Sequence, residues 1–297
     1  MGGIVQSKIN PVPDNLVTIF ILNWNRKDET RLVIESALNQ TYSNTEIIVV
    51  DNGSIDGSSE YISKLFPQIR FIQLDKNYGC PGGRNRGLPY CNGDFIFFCD
   101  NDGVLHEKAV GNALICILQD AKIAVVTGLV KDFNIKSEID TSFPLPSPDL
   151  KETNLFQGGI SLHRKSIYSE IGSYPDDYMY GGEETYLSLR IMDAGYKIVK
   201  SGQVVLWHKK SDLARNFTKD PIQNWGNALM NAFQLFPIEY FLAYFFYFFI
   251  KYPFYAFRNG ILKIYFRAMI PYIKRLSHYN RKPVKRSTYR KYRRMLS

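Results

Sequence analysis

At 297 residues, with 45% hydrophobic and 22% charged residues, the chain has the composition of a folded protein with room for a sizeable core, which excludes a disordered or fibrous one. Cys80, Cys91, Cys99 and Cys116 form no C-x-x-C pair and no zinc-ligand spacing, so they read as reduced thiols of a cytosolic protein. The net charge of +9 is uneven: Tyr240 to Ser297 holds 14 Lys and Arg and no acid, while the other 23 basic residues face 28 acidic ones.

Residues 1–15 (MGGIVQSKINPVPDN) read as an N-terminal extension. They lack the apolar core of a signal peptide, and Gln6 stands where myristoylation needs Ser or Thr. Leu16 to Trp24 is a short run of β-formers and predicts a buried strand. A helical pattern follows from Asp28 or Thr30 to about Gln40. Glu46 to Val50 predicts a second strand, ending in Asp51-Asn52-Gly53-Ser54, and Asp56 can cap a helix over Gly57 to Phe66. Ile69 to Leu74 predicts a third strand that runs into NYGCPGGRNRG, Asn77 to Gly87. A fourth, Phe95 to Cys99, stops at Asp100-Asn101-Asp102. His106 to Gln119 predicts a helix and Ile123 to Val126 a fifth strand.

Asp132 to Asn154, with Pro144, Pro146 and Pro148, reads as a long loop of the kind that forms lids or binding loops. Phe156 to Leu162 predicts a strand whose Gly158-Gly159 allows close approach. Tyr174 to Gly182 is a polar, aromatic loop leading into a helix that starts with Glu183-Glu184; acids there also suit the helix dipole. Val204 to Trp207 predicts a strand that delivers His208. Strands and helices alternating in this way predict an α/β fold: a doubly wound, mostly parallel, Rossmann-like sheet over residues 16–220, with a helical region at 221–297.

In such sheets ligands sit beyond the carboxyl ends of the strands, where four polar clusters fall here. In an extended segment Asp100 and Asp102 project to one side while Asn101 points away. Two like charges so close raise one another's pKa unless a cation neutralises them, and Mg²⁺ or Mn²⁺ is suited to that. The alternative is a solvated Asp-Asn-Asp-Gly turn.

In order, VTIFILNWNR, ESALNQTY, IIVVDNGSIDGS, NYGCPGGRNRG, DND, GGISL, GGEETYLSLR and AGYKIV through His208 resemble the inverting family 2 glycosyltransferases of GT-A fold. The rhamnosyltransferase-like bacterial branch, which builds surface polysaccharides, is the nearest in flavour. The likeness covers roughly residues 16–210. It implies transfer of a sugar from a UDP- or dTDP-sugar to a glycan or lipid-linked acceptor, with Mn²⁺ or Mg²⁺ as cofactor. Asn23, Asn25 and Asp51 would lie at the nucleotide, Asp51 accepting the N3–H of uracil or thymine. Asn77, Arg84 and Asn85 would line the diphosphate-sugar pocket with Asp100 and Asn101. Asp100, Asp102 and His208 would serve the metal, Gly158 and Gly159 the acceptor, and Glu184 the base role with Glu183 as its alternate. The family places Glu-Asp where this chain has Glu183-Glu184, and many members carry Asp where Tyr186 stands. A nucleotidyltransferase of the same fold and a silent scaffold are the rival readings. A dehydrogenase fits poorly, since NYGCPGGRNRG lacks G-x-G-x-x-G spacing.

Pro237 to Phe257 is intensely aromatic, and its apolar stretch Tyr240 to Ile250 is too short to span a bilayer before Lys251 and Pro253. Aromatics among bases without acids favour an anionic membrane surface, implying a cytoplasmic protein lying on the inner face of the cell membrane. The alternatives are packed helices that cover the catalytic domain, or nucleic-acid binding, which the acidic body does not support.

Overall fold

The computed structural model describes residues 14–133, 141–147, 149–209 and 219–296. The expected N-terminal extension, apart from Asp14 and Asn15, lies outside these residues, as do residues 134–140 and 148 of the expected long loop. The described strands form one nine-stranded sheet in the order β3-β2-β1-β4-β8-β6-β9-β5, with β7 also paired to β9. They are β1 (Val17–Asn23), β2 (Thr45–Asp51), β3 (Arg70–Gln73), β4 (Phe95–Asp100), β5 (Gly103–Leu105), β6 (Ile123–Phe133), β7 (Leu150–Thr153), β8 (Ile160–Arg164) and β9 (Lys197–Lys209).

The first four strands are parallel, joined by α1 (Lys27–Leu38), α2 (Ser58–Leu65) and α3 (Gly79–Gly87). Their registers pair Asn23 with Asp51, Leu22 with Asp100, and Asp51 with Gln73. All four polar clusters therefore open on one rim. Beyond β4 the sheet is mixed: β8 is antiparallel to β4 and β6, while β6 and β9 run parallel to each other.

The central strands β1, β2 and β4 are largely apolar because both faces of the sheet are covered there. Ile19, Ile21 and Phe97 pack on one side with Val33 and Ile34 of α1 and Leu114 of α4 (Ala109–Leu118). Phe20, Ile96 and Phe98 pack on the other with Leu187 and Ile191 of α6 (Glu183–Asp193). The short α5 (Ile167–Ile171) lies between β8 and α6 in the chain.

Several boundaries differ from the sequence reading, among them the fifth strand, expected to end at Val126 and running to Phe133, and the unexpected β5. The strand expected from Phe156 starts at Ile160, the paired glycines preceding it instead. The strand expected over Val204 to Trp207 is the end of a 13-residue one. Its length is used by partners distant in sequence: β6, β5 and β7 all pair with it. The segment read as a loop from Asp132 contains the end of β6 and all of β7, a short edge strand with too few residues to show a period.

The tail folds as α7 (Lys219–Leu235), α8 (Ile238–Arg258), α9 (Leu262–Leu276) and α10 (Arg286–Arg294). Ala232, Leu235 and Phe236 of the α7 end pack with Tyr289 and Tyr292 of α10 against Leu189 and Met192 of α6.

Gly87 shows how tightly α3 sits on the sheet: a Cβ there would stand 2.3 Å from the Phe20 ring and 2.7 Å from Val50. Gly87→Ala is expected to destabilise the fold by about 1–3 kcal/mol, an overpacking cost measurable as a lower urea midpoint at unchanged m-value.

Candidate active site

A cleft of about 440 Å³ opens at the carboxyl ends of β1, β2 and β4. Trp24, Arg26, Asn52, Asn77, Arg84, Asp100, Asn101 and Asp102 line it, closed off by Met179, Tyr180, His208 and Gln223.

Asn23 and Asp51 lie beneath this rim, both fully buried. Asn23 Nδ2 donates to Asp51 Oδ2 at 2.8 Å, and the Ser54 amide donates to Asp51 Oδ1 at 2.8 Å. Asn23 Oδ1 accepts from Thr30 at 2.7 Å and from Asn101 at 3.2 Å. Asn25, at φ 52°, accepts the Ile55 amide on Oδ1 and so ties the loop after β1 to the loop after β2. Asn77 Oδ1 accepts the Gly79 amide at 2.7 Å and Asn52 Nδ2 at 3.0 Å. Asn85 faces elsewhere, bonding both backbone polar atoms of Tyr174. Of the expected nucleotide residues, the fold thus puts Asn77, Arg84, Asp100 and Asn101 on the cleft wall, and Asn23, Asp51 and Asn85 in its supporting framework.

Because β4 ends at Asp100, residues 101 and 102 turn rather than continue the strand alternation. All three side chains consequently reach the cleft, correcting the expectation that Asn101 points away. Asp102 is buried between Arg26, which pairs with Oδ2, and His208, whose Nε2 lies 3.1 Å from Oδ1. His208 arrives there because β9 registers it opposite Gly103. Burial would raise the Asp102 carboxyl, but the His208 bond and the Arg26 charge outweigh it and hold it below the usual carboxylate range. Asp100 goes the other way, although its side chain is 47% open to the cleft. Crowding by protein atoms raises it, Arg84 at 3.8 Å opposes, and Asp102 adds to the rise.

Arg84 is 4% exposed, its guanidinium 5.5 Å from the ring centres of both Phe98 and Tyr174. Nη2 donates to the Gly158 carbonyl at 2.9 Å, and Nη1 lies 4.0 Å from Glu183 Oε1. Arg84 Nη1 and Glu183 Oε2 are buried with no hydrogen-bond partner among the described residues. Glu184, half-buried on the next position of α6, is pushed up to about 8 by burial and by Glu183, against the pull of Arg84. Glu183 is raised for the same leading reason, its burial.

The two glycines expected at the acceptor are what let these charges meet. A Cβ on Gly158 would lie 2.8 Å from both Arg84 Nη1 and Glu184 Oε1, and one on Gly159 would lie 1.8 Å from Asp100 Oδ2.

Sequence reasoning missed Arg26, Asn52 and two asparagines of α7. Asn227 Nδ2 donates to the Tyr180 and Gly181 carbonyls at 3.0 and 2.7 Å, and Asn231 Nδ2 to the Gly182 carbonyl at 2.7 Å. Tyr178 completes the clamp by donating to Asn231 Oδ1 at 2.9 Å. Gly182, at φ 85°, is the residue before α6, so the tail holds the turn that aims both glutamates. The one available signal was a pair of buried-helix asparagines four apart, poor helix formers on one face.

Residues 18–166 match the family described as Glycosyl transferase family 2. Over 101 residues the chain is 42% identical to the Escherichia coli UDP-Glc:alpha-D-GlcNAc-diphosphoundecaprenol beta-1,3-glucosyltransferase WfaP, covering 33% of this chain and 40% of WfaP. The chain therefore spans less than half of that relative. In fold it is similar to the mannosyltransferase PcManGT of Pyrobaculum calidifontis in complex with GDP-Man and Mn²⁺, at TM-score 0.56 and 16% identity, covering 73% of this chain and 62% of that one. It is likewise similar to GalNAc-T7 with UDP, GalNAc and Mn²⁺, at TM-score 0.62 and 15% identity, over 76% and 49% of the two chains.

Asn231→Ala would remove one of the two bonds made by the Gly182 carbonyl and one of the two made by the Tyr178 hydroxyl, an expected loss of about 1–3 kcal/mol for the pair in urea unfolding. The acids predict a pH dependence of stability. A carboxyl raised in the folded chain holds its proton more tightly there than when unfolded. The stability it contributes is complete below about 4.5 and lost as pH rises through about 8. Melting temperatures should fall across that window, and Glu184→Gln should flatten this component.

Proposed function

The chain belongs to glycosyl transferase family 2, and from that premise we propose that it is an inverting, metal-dependent glycosyltransferase acting from a UDP- or dTDP-sugar on a glycan or lipid-linked acceptor in surface polysaccharide synthesis. The observation that carries this is the placement of Glu184: it lies in the first turn of α6, sits across Gly158 from Arg84, and burial beside Glu183 pushes its carboxyl up to about 8, which suits a general base working near neutral pH. WfaP, by its name, transfers glucose to a diphosphoundecaprenol-linked sugar, which supports a lipid-linked acceptor.

In this reading the acceptor hydroxyl gives its proton to Glu184 as its oxygen attacks the anomeric carbon. The bond from that carbon to the diphosphate breaks from the opposite face, inverting the centre. Glu183, next to Arg84, keeps the guanidinium directed at the Gly158 carbonyl and the Asp100 carboxylate, and Glu184 stays available to the acceptor. The sugar-diphosphate lies along Asn77, Arg84 and Asp100, in the cleft that Trp24 and Tyr180 narrow. For Asp51, buried beneath the rim, to accept a uracil or thymine N3–H it would use the acceptor positions that Asn23 and Ser54 leave, about two of a carboxylate's roughly four. A recess of about 400 Å³ lined by Gly53, Ser54 and Gln73 gives a base room beside that loop.

Among the described residues no three metal-binding side chains already converge. The donors at the rim nonetheless suit Mn²⁺ or Mg²⁺: two carboxylates and an imidazole, with Asp100 open to the cleft. Asp100, Asp102 and His208 would hold the ion. When bound, it supplies positive charge to the departing diphosphate. Arg26 is then a competing cation, since it already pairs with Asp102.

Glu184→Gln is expected to lower kcat by about 10²–10⁴-fold with donor affinity nearly intact, and Glu184→Asp to restore much of the rate; a fully active Gln variant would sink the assignment. Because the base must be deprotonated, kcat should climb with pH to a plateau above about 8. In the Asp102→Ala protein, nucleoside diphosphate release should no longer respond to added Mn²⁺ or to chelator. An unchanged response would remove Asp102 from the metal site.

A further inference from the structure

The tail presents a surface that the transfer reaction does not use. Phe246, Ile250, Phe254 and Phe257 recur at i, i+4, i+8 and i+11 along α8, each at least 63% exposed. On α9, Phe266, Ile270 and Ile273 form a second stripe, also exposed. The opposite faces of the same helices are firmly seated: Phe248, Ala256, Tyr265 and Met269 are buried against Leu229 of α7. The exposed stripes are thus held outward by packing rather than left over from a loose end.

Among the described residues no helix is long and apolar enough to cross a membrane. Exposed Lys251, Arg258, Lys263, Arg267 and Lys274 intersperse the stripes, and no acid occurs after Glu239 to neutralise them. A surface that is both apolar and uniformly cationic matches an interfacial layer of acyl chains below anionic headgroups. A second copy laid face to face would set these cations against one another, and a nucleic-acid backbone would leave the phenylalanines in water.

We propose that α8 and α9 form a docking face for an anionic bilayer and lie in its interface without spanning it. The face is joined to the cleft by two connections. Arg275, in the last turn of α9, pairs with Asp177 of the loop that carries Met179 and Tyr180 to the cleft wall. Tyr272 packs so closely on Gly226 of α7 that a Cβ there would stand 2.4 Å from its ring, and Gln223 of α7 lines the cleft. Docking therefore holds the cleft beside the surface in which a lipid-linked acceptor is anchored. Only that choice of acceptor rests on the transferase reading; the docking itself does not.

The test is cosedimentation of the full chain with phosphatidylcholine vesicles made with and without phosphatidylglycerol. Binding is expected only where phosphatidylglycerol is present and should weaken as salt rises. Phe254→Ser with Phe257→Ser should lower partitioning roughly a hundredfold, at unchanged melting temperature and UDP affinity. Lys251→Ala with Arg267→Ala should weaken it in phosphatidylglycerol vesicles too. The proposal is overturned if the chain ignores phosphatidylglycerol vesicles, if the double Ser variant binds as well as the parent, or if sedimentation velocity shows a dimer that the Ser substitutions abolish. Loss of sugar transfer to a water-soluble acceptor would count against the transferase reading and leave partitioning untouched.

Discussion

A single buried cation organises the acidic side of the cleft. Arg84 is enclosed by the rings of Phe98 and Tyr174, and a guanidinium so placed persists only with opposite charge and acceptors around it. Asp100, Glu183 and the Gly158 carbonyl provide them, from β4, α6 and the segment before β8. Three elements far apart in the chain are brought to one point by this requirement. The glycines at 158 and 159 follow from it, since any side chain there would occupy the space of the charges.

One cation among several carboxyls cannot satisfy all of them, and Asp100, Glu183 and Glu184 all hold their protons more tightly than free carboxyls do. Asp100 at 3.8 Å and Glu183 at 4.0 Å share the guanidinium, and Glu184 is left with burial and a like charge beside it, hence its high proton affinity. On the other wall Arg26 and His208 hold Asp102 ionised. The site therefore holds a carboxylate kept charged, Asp102, and a carboxyl of raised proton affinity, Glu184. Separating two such groups by their surroundings is a general way for one site to provide both an anion and a base.

The tail completes this arrangement rather than merely following it. Asn227 and Asn231 of α7 bond the three carbonyls before Glu183, so the aim of α6 depends on a helix outside the sheet. Both faces of the tail then have work: an inner one that positions the glutamates, and an outer one that is apolar and cationic. The sequence alternatives of packed helices and a surface-seeking segment are not exclusive, because a helix has two sides.

Features carried by contiguous residues could be read without the structure. Strands β1 and β4 and the buried part of β2 show as apolar runs, and the polar residues that stop them mark the rim. The glutamate pair, the D-N-D triplet and the acid-free tail were equally local. What depended on pairing between distant segments was invisible. The Arg26 to Asp102 ion pair spans 76 positions, the contact of Asn231 with Gly182 spans 49, and the edge strand β7 is defined only by its bonds to β9. The residue types of the candidate site were determined by local sequence, because they follow strand ends or open a helix. Which of them face the cleft, which lie beneath it and which carboxyl retains its proton were decided by tertiary structure, because burial and neighbouring charge are properties of the assembled fold.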